Sequence, residues 1–150
     1  MKNLIFFIAL LAVSCHAVKV IPFSRTGAVE CVAKDRTTIS LVSESFAQNA
    51  VQAQEYAVRN AFENLLFKGI PNSNQEKPLA SNEASFKSEH KKTYDALIKD
   101  RDYQLFIIDS SVKSSVKTGD GHSSKVLLKI DLLAFRSYLE KAGAIRKFGI

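Results

Sequence analysis

Two alternating runs on either side of a glycine-rich turn constrain this chain more than any other feature. Tyr103 to Lys117 and Ser123 to Asp131 flank Thr118-Gly119-Asp120-Gly121-His122, the pattern of a β-hairpin. Phe106, Ile108, Val112 and Val116 share one face of the first run, and Val126, Leu128 and Ile130 share one face of the second. Side chains alternate with period 2, so only some registers bring these sets to the same side of a sheet. A three-residue loop, Gly119-Asp120-Gly121 with Gly121 left-handed, pairs Thr118 with His122 and meets that condition. Another register would set Lys117 against Lys125 and Lys113 against Lys129, where like charges repel. At the base of the hairpin, Leu105-Phe106-Ile107-Ile108 is apolar on both faces, which predicts a central portion covered on both sides. Farther out, Asp109, Ser111, Lys113, Ser115 and Lys117 make the odd face a solvated one.

Upstream, short β runs are expected over Ala28–Ala33 and Thr37–Ser45, broken at Lys34-Asp35-Arg36. A helix follows from Ala47 to Lys68, with Val51, Ala53, Ala57, Val58, Ala61, Phe62, Leu65 and Leu66 in helical period. Its small early residues allow close approach to a sheet, and its large late ones fill a wider gap. Gly69 supplies the left-handed C-terminal position, Ile70 the accompanying apolar contact, and Pro71 the stop. Pro71 to Ser81 reads as a mobile polar connector. A second helix is expected over Glu83–Lys99, capped by Asn82 or Ser81, with Phe86, His90, Tyr94, Leu97 and Ile98 on one face. Asp131 caps a third helix, carrying Leu132, Leu133, Phe135, Leu139 and Ala142, which ends at Gly143. The tail from Ala144 to Ile150 is expected to dock as a last short strand. The fold class is therefore α+β: three helices on an antiparallel sheet of three to four strands, in the order β(β)-α-α-β-β-α.

The N-terminus speaks about location. Met1-Lys2-Asn3 precedes an apolar run from Leu4 to Val13 and then small residues, which is the layout of a secretory signal peptide. The run is shorter than the ~20 residues that cross a bilayer. Cleavage after Ala17 would release a chain beginning at Val18; alternatively, Ala12-Val13-Ser14-Cys15 is similar to a bacterial lipobox, with Cys15 lipidated and 1–14 removed. Residues 18–26, with Pro22 and no sustained period, read as a tether or an edge segment before a single domain over 27–150. An exported location is expected: periplasmic or outer-membrane-associated in a bacterium, secreted otherwise.

Removing 17 of 150 residues leaves about 133, enough for one core, and lowers the formal charge from +6 to +5. A basic exported domain is not expected to meet nucleic acid; anionic lipid, acidic polysaccharide or an acidic partner fits better. With Cys15 cut off or lipidated, Cys31 stands alone as a buried structural thiol, so no disulfide framework is available. His16, His90 and His122 are far apart, and no Cys or His spacing fits zinc, nor any acidic loop calcium. No serine lies in Gly-x-Ser-x-Gly, Ser114 and Lys117 lie along a strand, and Gly119-x-Gly121 belongs to a hairpin. Asp109 and Asp131 could approach each other near the hairpin base, but Asp131 is better explained as a helix cap. No cofactor, metal or catalytic set is expected; a hydrolase would need His90 or Asp109 in a cleft. Lys113, Lys117, Lys125 and Lys129 share the outward face of the expected hairpin. They could meet an anionic surface, although lysines on an exposed sheet also serve to prevent edge pairing.

A Thr-Ile-Ser-Leu-Val strand, an Ala-rich helix over Ala50–Phe67, a late hairpin and the ending Leu-Glu-Lys-Ala-Gly-Ala-Ile-Arg-Lys-Phe-Gly-Ile follow one another. In this layout the chain resembles uncharacterised small cell-envelope lipoproteins of Gram-negative bacteria, and more distantly the α+β domains of flagella-associated envelope proteins. The resemblance implies an envelope location and a scaffolding or partner-binding role, without a shared active site. A non-enzymatic domain is expected that binds an envelope protein or itself, through the exposed hairpin edge and the Ile145-to-Ile150 tail. A soluble binding protein or inhibitor with a pocket between helices and sheet is the alternative.

Overall fold

The computed structural model describes residues 20–147. The segment read as a signal peptide, with Cys15 and His16, and residues 148–150 of the tail lie outside the described residues. Four strands, β1 (Val29–Lys34), β2 (Thr38–Ala47), β3 (Ile107–Thr118) and β4 (Gly121–Asp131), form one antiparallel sheet in the order β1-β2-β4-β3. Four helices accompany it: α1 (Ala50–Phe67), α2 (Glu83–Glu89), α3 (Lys91–Ile98) and α4 (Leu132–Lys141). The α+β class and the antiparallel sheet agree with the sequence pattern; the helix count is one higher.

The sheet has one covered face. Ile39, Leu41, Ser43, Ser45 and Ala47 of β2 are buried beside Ser124, Val126, Leu128 and Ile130 of β4, in a register that pairs Leu41 with Leu128. Helix α1 lies across them. Ala53, Ala57 and Ala61 are buried where the helix approaches, and Phe62, Leu65 and Leu66 fill the wider end, as the taper of side-chain size predicts. Asn49 caps α1 by accepting from the Gln52 N–H at 2.9 Å. Gly69, at φ +76°, ends the turn after it, and Ile70 is buried alongside. A Cβ on Gly69 would stand 2.0 Å from the Glu76 carbonyl oxygen, so the chain closes back on itself there.

Several expectations give way to packing. The stretch after Pro71 is no mobile connector: Ser73 and Gln75 are buried, and Leu79 and Ala80 donate N–H groups to the carbonyls of Leu65 and Leu66 at 3.1 and 2.9 Å. Arg136 of α4 donates to the Gln75 side chain and clamps the loop. The second expected helix is broken at His90, whose φ of −112° and ψ of 35° separate α2 from α3. Phe86 and Tyr94, about 12 Å apart along a straight helix, both lie against the single ring of Phe67 at 5.6 and 6.2 Å, and the bend accompanies that wrapping.

The first hairpin run does not start at Tyr103. Arg101 takes a left-handed conformation at φ +66°, and residues Asp102–Phe106 form a 3₁₀ turn. Three residues per turn bring Tyr103 and Phe106 to the same side. There Tyr103 stacks on Phe62 at 5.2 Å, and Phe106 meets Phe135 and Tyr138 at 5.2 and 5.3 Å. Leu105 is left 76% exposed. β3 is then an edge strand, not a central one, with every residue after Ile107 exposed. The expected terminal strand is not formed by Ala144–Lys147; Ala144 is buried and Ile145 half-buried after the left-handed Gly143.

Candidate functional site

The hairpin turn contains two residues, not three: Thr118 pairs with Gly121, and Gly119 rather than Gly121 takes positive φ, at +58°. A left-handed glycine at the first central position is the arrangement of a type II′ turn. Moving down the hairpin, β3 carries two irregularities, between Val112 and Ser114 and between Ile107 and Asp109. Each inserts an extra residue and reverses which face the following side chains take. Val112 therefore stands opposite Val126 on the helix-bearing face, while Val116 pairs with Ser123 on the open one.

This register scatters the proposed lysine patch. Lys117 pairs with His122 on the helix-bearing side, and Lys113 is the extra residue of a bulge. Lys125 and Lys129 lie on the open face, where Lys125 Nζ is 3.4 Å from Glu44 Oε2. Ser123 Oγ donates to the other oxygen of Glu44 at 2.6 Å. The four do not share a face, because the two-residue turn puts Lys117 opposite His122 and the bulge at Lys113 interrupts the alternation farther down.

The residues weighed for chemistry are dispersed in the same way. Asp131 accepts from the Ala134 N–H at 2.8 Å and caps α4, as its position predicts. Asp109 stands opposite Lys129. His122 is half-buried between Lys117 and Ala47. His90 is half-buried with its ring 5.6 Å from Phe86, in the wall of an open cavity of about 720 Å³ shared with Lys77, Glu89 and Arg146. Cys31 is half-buried beside the core, its thiol 3.5 Å from the Ala33 carbonyl. Among the described residues, no three His, Cys, Asp or Glu side chains are grouped so as to hold a metal ion, and no helix is long and apolar enough to cross a membrane.

A polar network absent from the sequence reading fastens residues 21–26 across α1, so this segment is not the free tether expected. The Thr26 N–H donates to Asn60 Oδ1 at 2.9 Å, and Asn64 Nδ2 donates to the Thr26 carbonyl at 2.9 Å. Asn60 Nδ2 also reaches the Glu44 carbonyl at 3.2 Å. Arg25 bonds Glu83 at 2.6 Å and stands 3.7 Å from Glu63, a carboxylate that Arg59 bonds at 2.8 Å. The bond from Arg25 holds the Glu83 carboxyl below its ordinary range against the opposing effect of burial. Arg59 lies over the Phe23 ring at 3.9 Å. Asn60 and Asn64, four residues apart inside an otherwise apolar helix face, were the available signal.

What the fold leaves unsatisfied is the outer side of β3. Ile108, Val112 and Val116 are 52%, 48% and 58% exposed, and among the described residues no strand pairs with β3 beyond β4. α1 sits over β2 and β4, so a groove of about 450 Å³ opens between α1 and β3. Val51, Val58, Ile107 and Val112 line it, and Arg101 closes one rim through paired 2.9 Å bonds to both oxygens of Glu55. Val51, expected in the packed stripe of α1, is instead 66% exposed on this groove. A free backbone edge beside an apolar groove can receive main-chain hydrogen bonds and side chains together. Comparison with protein-family models, with curated proteins and with solved structures found no match.

Proposed function

We propose that the chain is an exported, non-enzymatic cell-envelope domain that binds another protein or assembles with itself, using the β3 edge as its contact surface. One observation carries the reading: β3 is a twelve-residue strand at the sheet edge with exposed Ile108, Val112 and Val116. Long edges with apolar side chains favour pairing with another chain unless something covers them. The Leu4-to-Val13 run supports export, and Cys15 is the residue through which a lipid would tether the domain to a membrane. Residues 21–26 lie along the Tyr56 and Arg59 side of α1, whereas the groove lies along its Val51 and Val58 side. A chain tethered through its N-terminus thus keeps the β3 groove off the tethered side of the helix.

The test is site-specific photocrosslinking in intact cells. Probes at Ile108 and Val116 are expected to give discrete crosslinked species that a probe at Lys92 of α3 does not. Equal yields from all three would reject the surface. Cys15→Ser is expected to move the protein from the membrane to the soluble fraction, and unchanged fractionation would reject lipidation. The runner-up, a soluble binder with a pocket between helices and sheet, is favoured by the α1–β3 groove itself. It predicts a strict monomer without membrane association in light scattering and fractionation.

A further inference from the structure

We infer that the partner of this surface is an extended peptide segment of another protein, which pairs along β3 and sets alternate apolar side chains into the α1–β3 groove. The inference rests on the β3 reading above and adds the chemistry of the occupant.

Three features select a strand. An edge strand presents outward-pointing N–H and C=O groups at every second residue, and a new strand satisfies them at about 4.8 Å. A helix, about 10 Å across, would leave them unpaired. The groove borders Ile107, Ser110 and Val112 on one side and Val51 and Val58 on the other. A strand added to β3 points every second side chain to the helix-bearing face, so that set must be apolar and the other polar.

Charge selects one end. Beyond the groove, Lys113 and Lys117 stand exposed toward the turn, two cations against the single carboxylate Asp120 there, whereas Asp109 lies at the opposite end of β3. A partner carrying Asp or Glu beside these lysines is matched, and a basic one is repelled. A second copy of this chain fits less well. Antiparallel pairing about Ser111 would oppose Asp109 to Lys113, but it would also bring the two bulges of one β3 against those of the other. A flexible peptide can follow the bend that a folded copy cannot.

The experiment selects random twelve-residue displayed peptides against the immobilised full chain, then measures the enriched peptide by fluorescence anisotropy. Expected are sequences with apolar residues at every second position and acidic residues toward one end. Val112→Glu should weaken binding at least about tenfold by placing a charge in the groove, and Lys113→Glu with Lys117→Glu should reverse the preference from acidic to basic ends. All three side chains are exposed, so these variants are expected to fold. Enriched peptides with apolar residues three and four apart, still lost on Val112→Glu, would overturn the strand partner while leaving the surface standing. Peptides indifferent to Val112→Glu would overturn both the surface and the inference. No enrichment would overturn the peptide partner. Self-association of the full chain that Val112→Glu abolishes would replace the peptide by a second copy.

Discussion

The ring of Phe46 lies over Gly121 on the open face of the sheet: a Cβ on Gly121 would stand 2.4 Å from Phe46 Cζ and 2.5 Å from the Ala47 carbonyl oxygen. Gly119, two residues earlier, has nothing within 4 Å of its Cβ position but holds a φ of +58°. The two glycines of the turn thus serve different needs, one spatial and one conformational.

Substitution should separate them. Gly121→Ala is expected to cost about 1–3 kcal/mol, since a backbone oxygen as well as the ring must give way. Gly119→Ala should cost about 1 kcal/mol through left-handed strain alone. Asn is accepted better than Ala at the positive-φ position of such turns, so Gly119→Asn should be milder than Gly119→Ala, whereas Gly121→Asn should be no milder than Gly121→Ala. Urea unfolding of the four variants checks this. Relief by Asn at 121 would mean that conformation, not space, selects Gly121.

That contrast also shows what was legible beforehand. Local chemistry read well: Asn82 and Asp131 cap their helices, Gly69 and Gly143 are left-handed, and Ala53, Ala57 and Ala61 face the sheet, although Asn49 caps a helix expected to begin at Ala47. The hairpin register did not, because a two-residue turn replaces the expected three-residue one and two bulges in β3 then shift the alternation on which the face assignments depend. Tyr103 and Phe106 were read at period 2, yet their spacing of three suits the 3₁₀ turn that stacks them on Phe62 and Phe135. The site was half legible. An exposed hairpin edge is expected, and the alternative reading includes a pocket between helices and sheet, but its place against β3 is not legible, since it depends on α1 stopping short of β3. Tertiary placement of that kind has no local signature.

Asn60 and Asn64 are expected to hold the N-terminal segment in place. Asn60 is fully buried, and its loss would orphan the Thr26 N–H and leave the Glu44 carbonyl to the Thr26 hydroxyl alone. Asn60→Ala should destabilise by about 2–3 kcal/mol. Asn60→Leu should not rescue it, because filling the volume leaves the Thr26 N–H unpaired. Trypsin cleavage after Arg25 offers a local readout: it should accelerate in Asn60→Ala and Asn64→Ala before global unfolding does. Equal protection in the variants and the parent would show that packing of Phe23 and Arg59 holds the segment without the asparagines.

Asp35 makes the turn between β1 and β2 sensitive to acid. The Thr38 hydroxyl, at 2.7 Å, and the Thr37 and Thr38 N–H groups, both at 2.8 Å, hold its carboxyl at about 2, below the ordinary 3.8. A depressed folded value means the folded state binds its proton more weakly than the unfolded one. The contribution is therefore present above pH 3.8 and is lost as pH falls through about 2. Asp35→Ala should flatten the pH dependence of unfolding in that window relative to the parent, with little change in slope above it. A carboxyl resonance of Asp35 that titrates near 3.8 in the folded protein would remove the effect.

The split of the hairpin lysines gives the sharpest check on the register that defines the groove. Lys125 faces Glu44 at 3.4 Å on the open side of the sheet, whereas Lys117 stands opposite His122 on the other side. The Lys125 side chain is 50% exposed and that of Glu44 38%, so the pair is screened and worth only about 0.2–1 kcal/mol. Lys125→Glu replaces that attraction by repulsion and should lower stability by about 1 kcal/mol, recovered when Glu44→Lys is added. Lys117→Glu meets no carboxylate across the ladder and should change stability by less than about 0.5 kcal/mol. The Glu44→Lys background should leave the Lys117→Glu effect unaltered, because the two side chains lie on opposite faces. Coupling of Glu44 to Lys117 instead of Lys125 would mean that the β3–β4 register is shifted by one residue. It would also turn Val112 away from the groove, and the strand-binding surface would go with it.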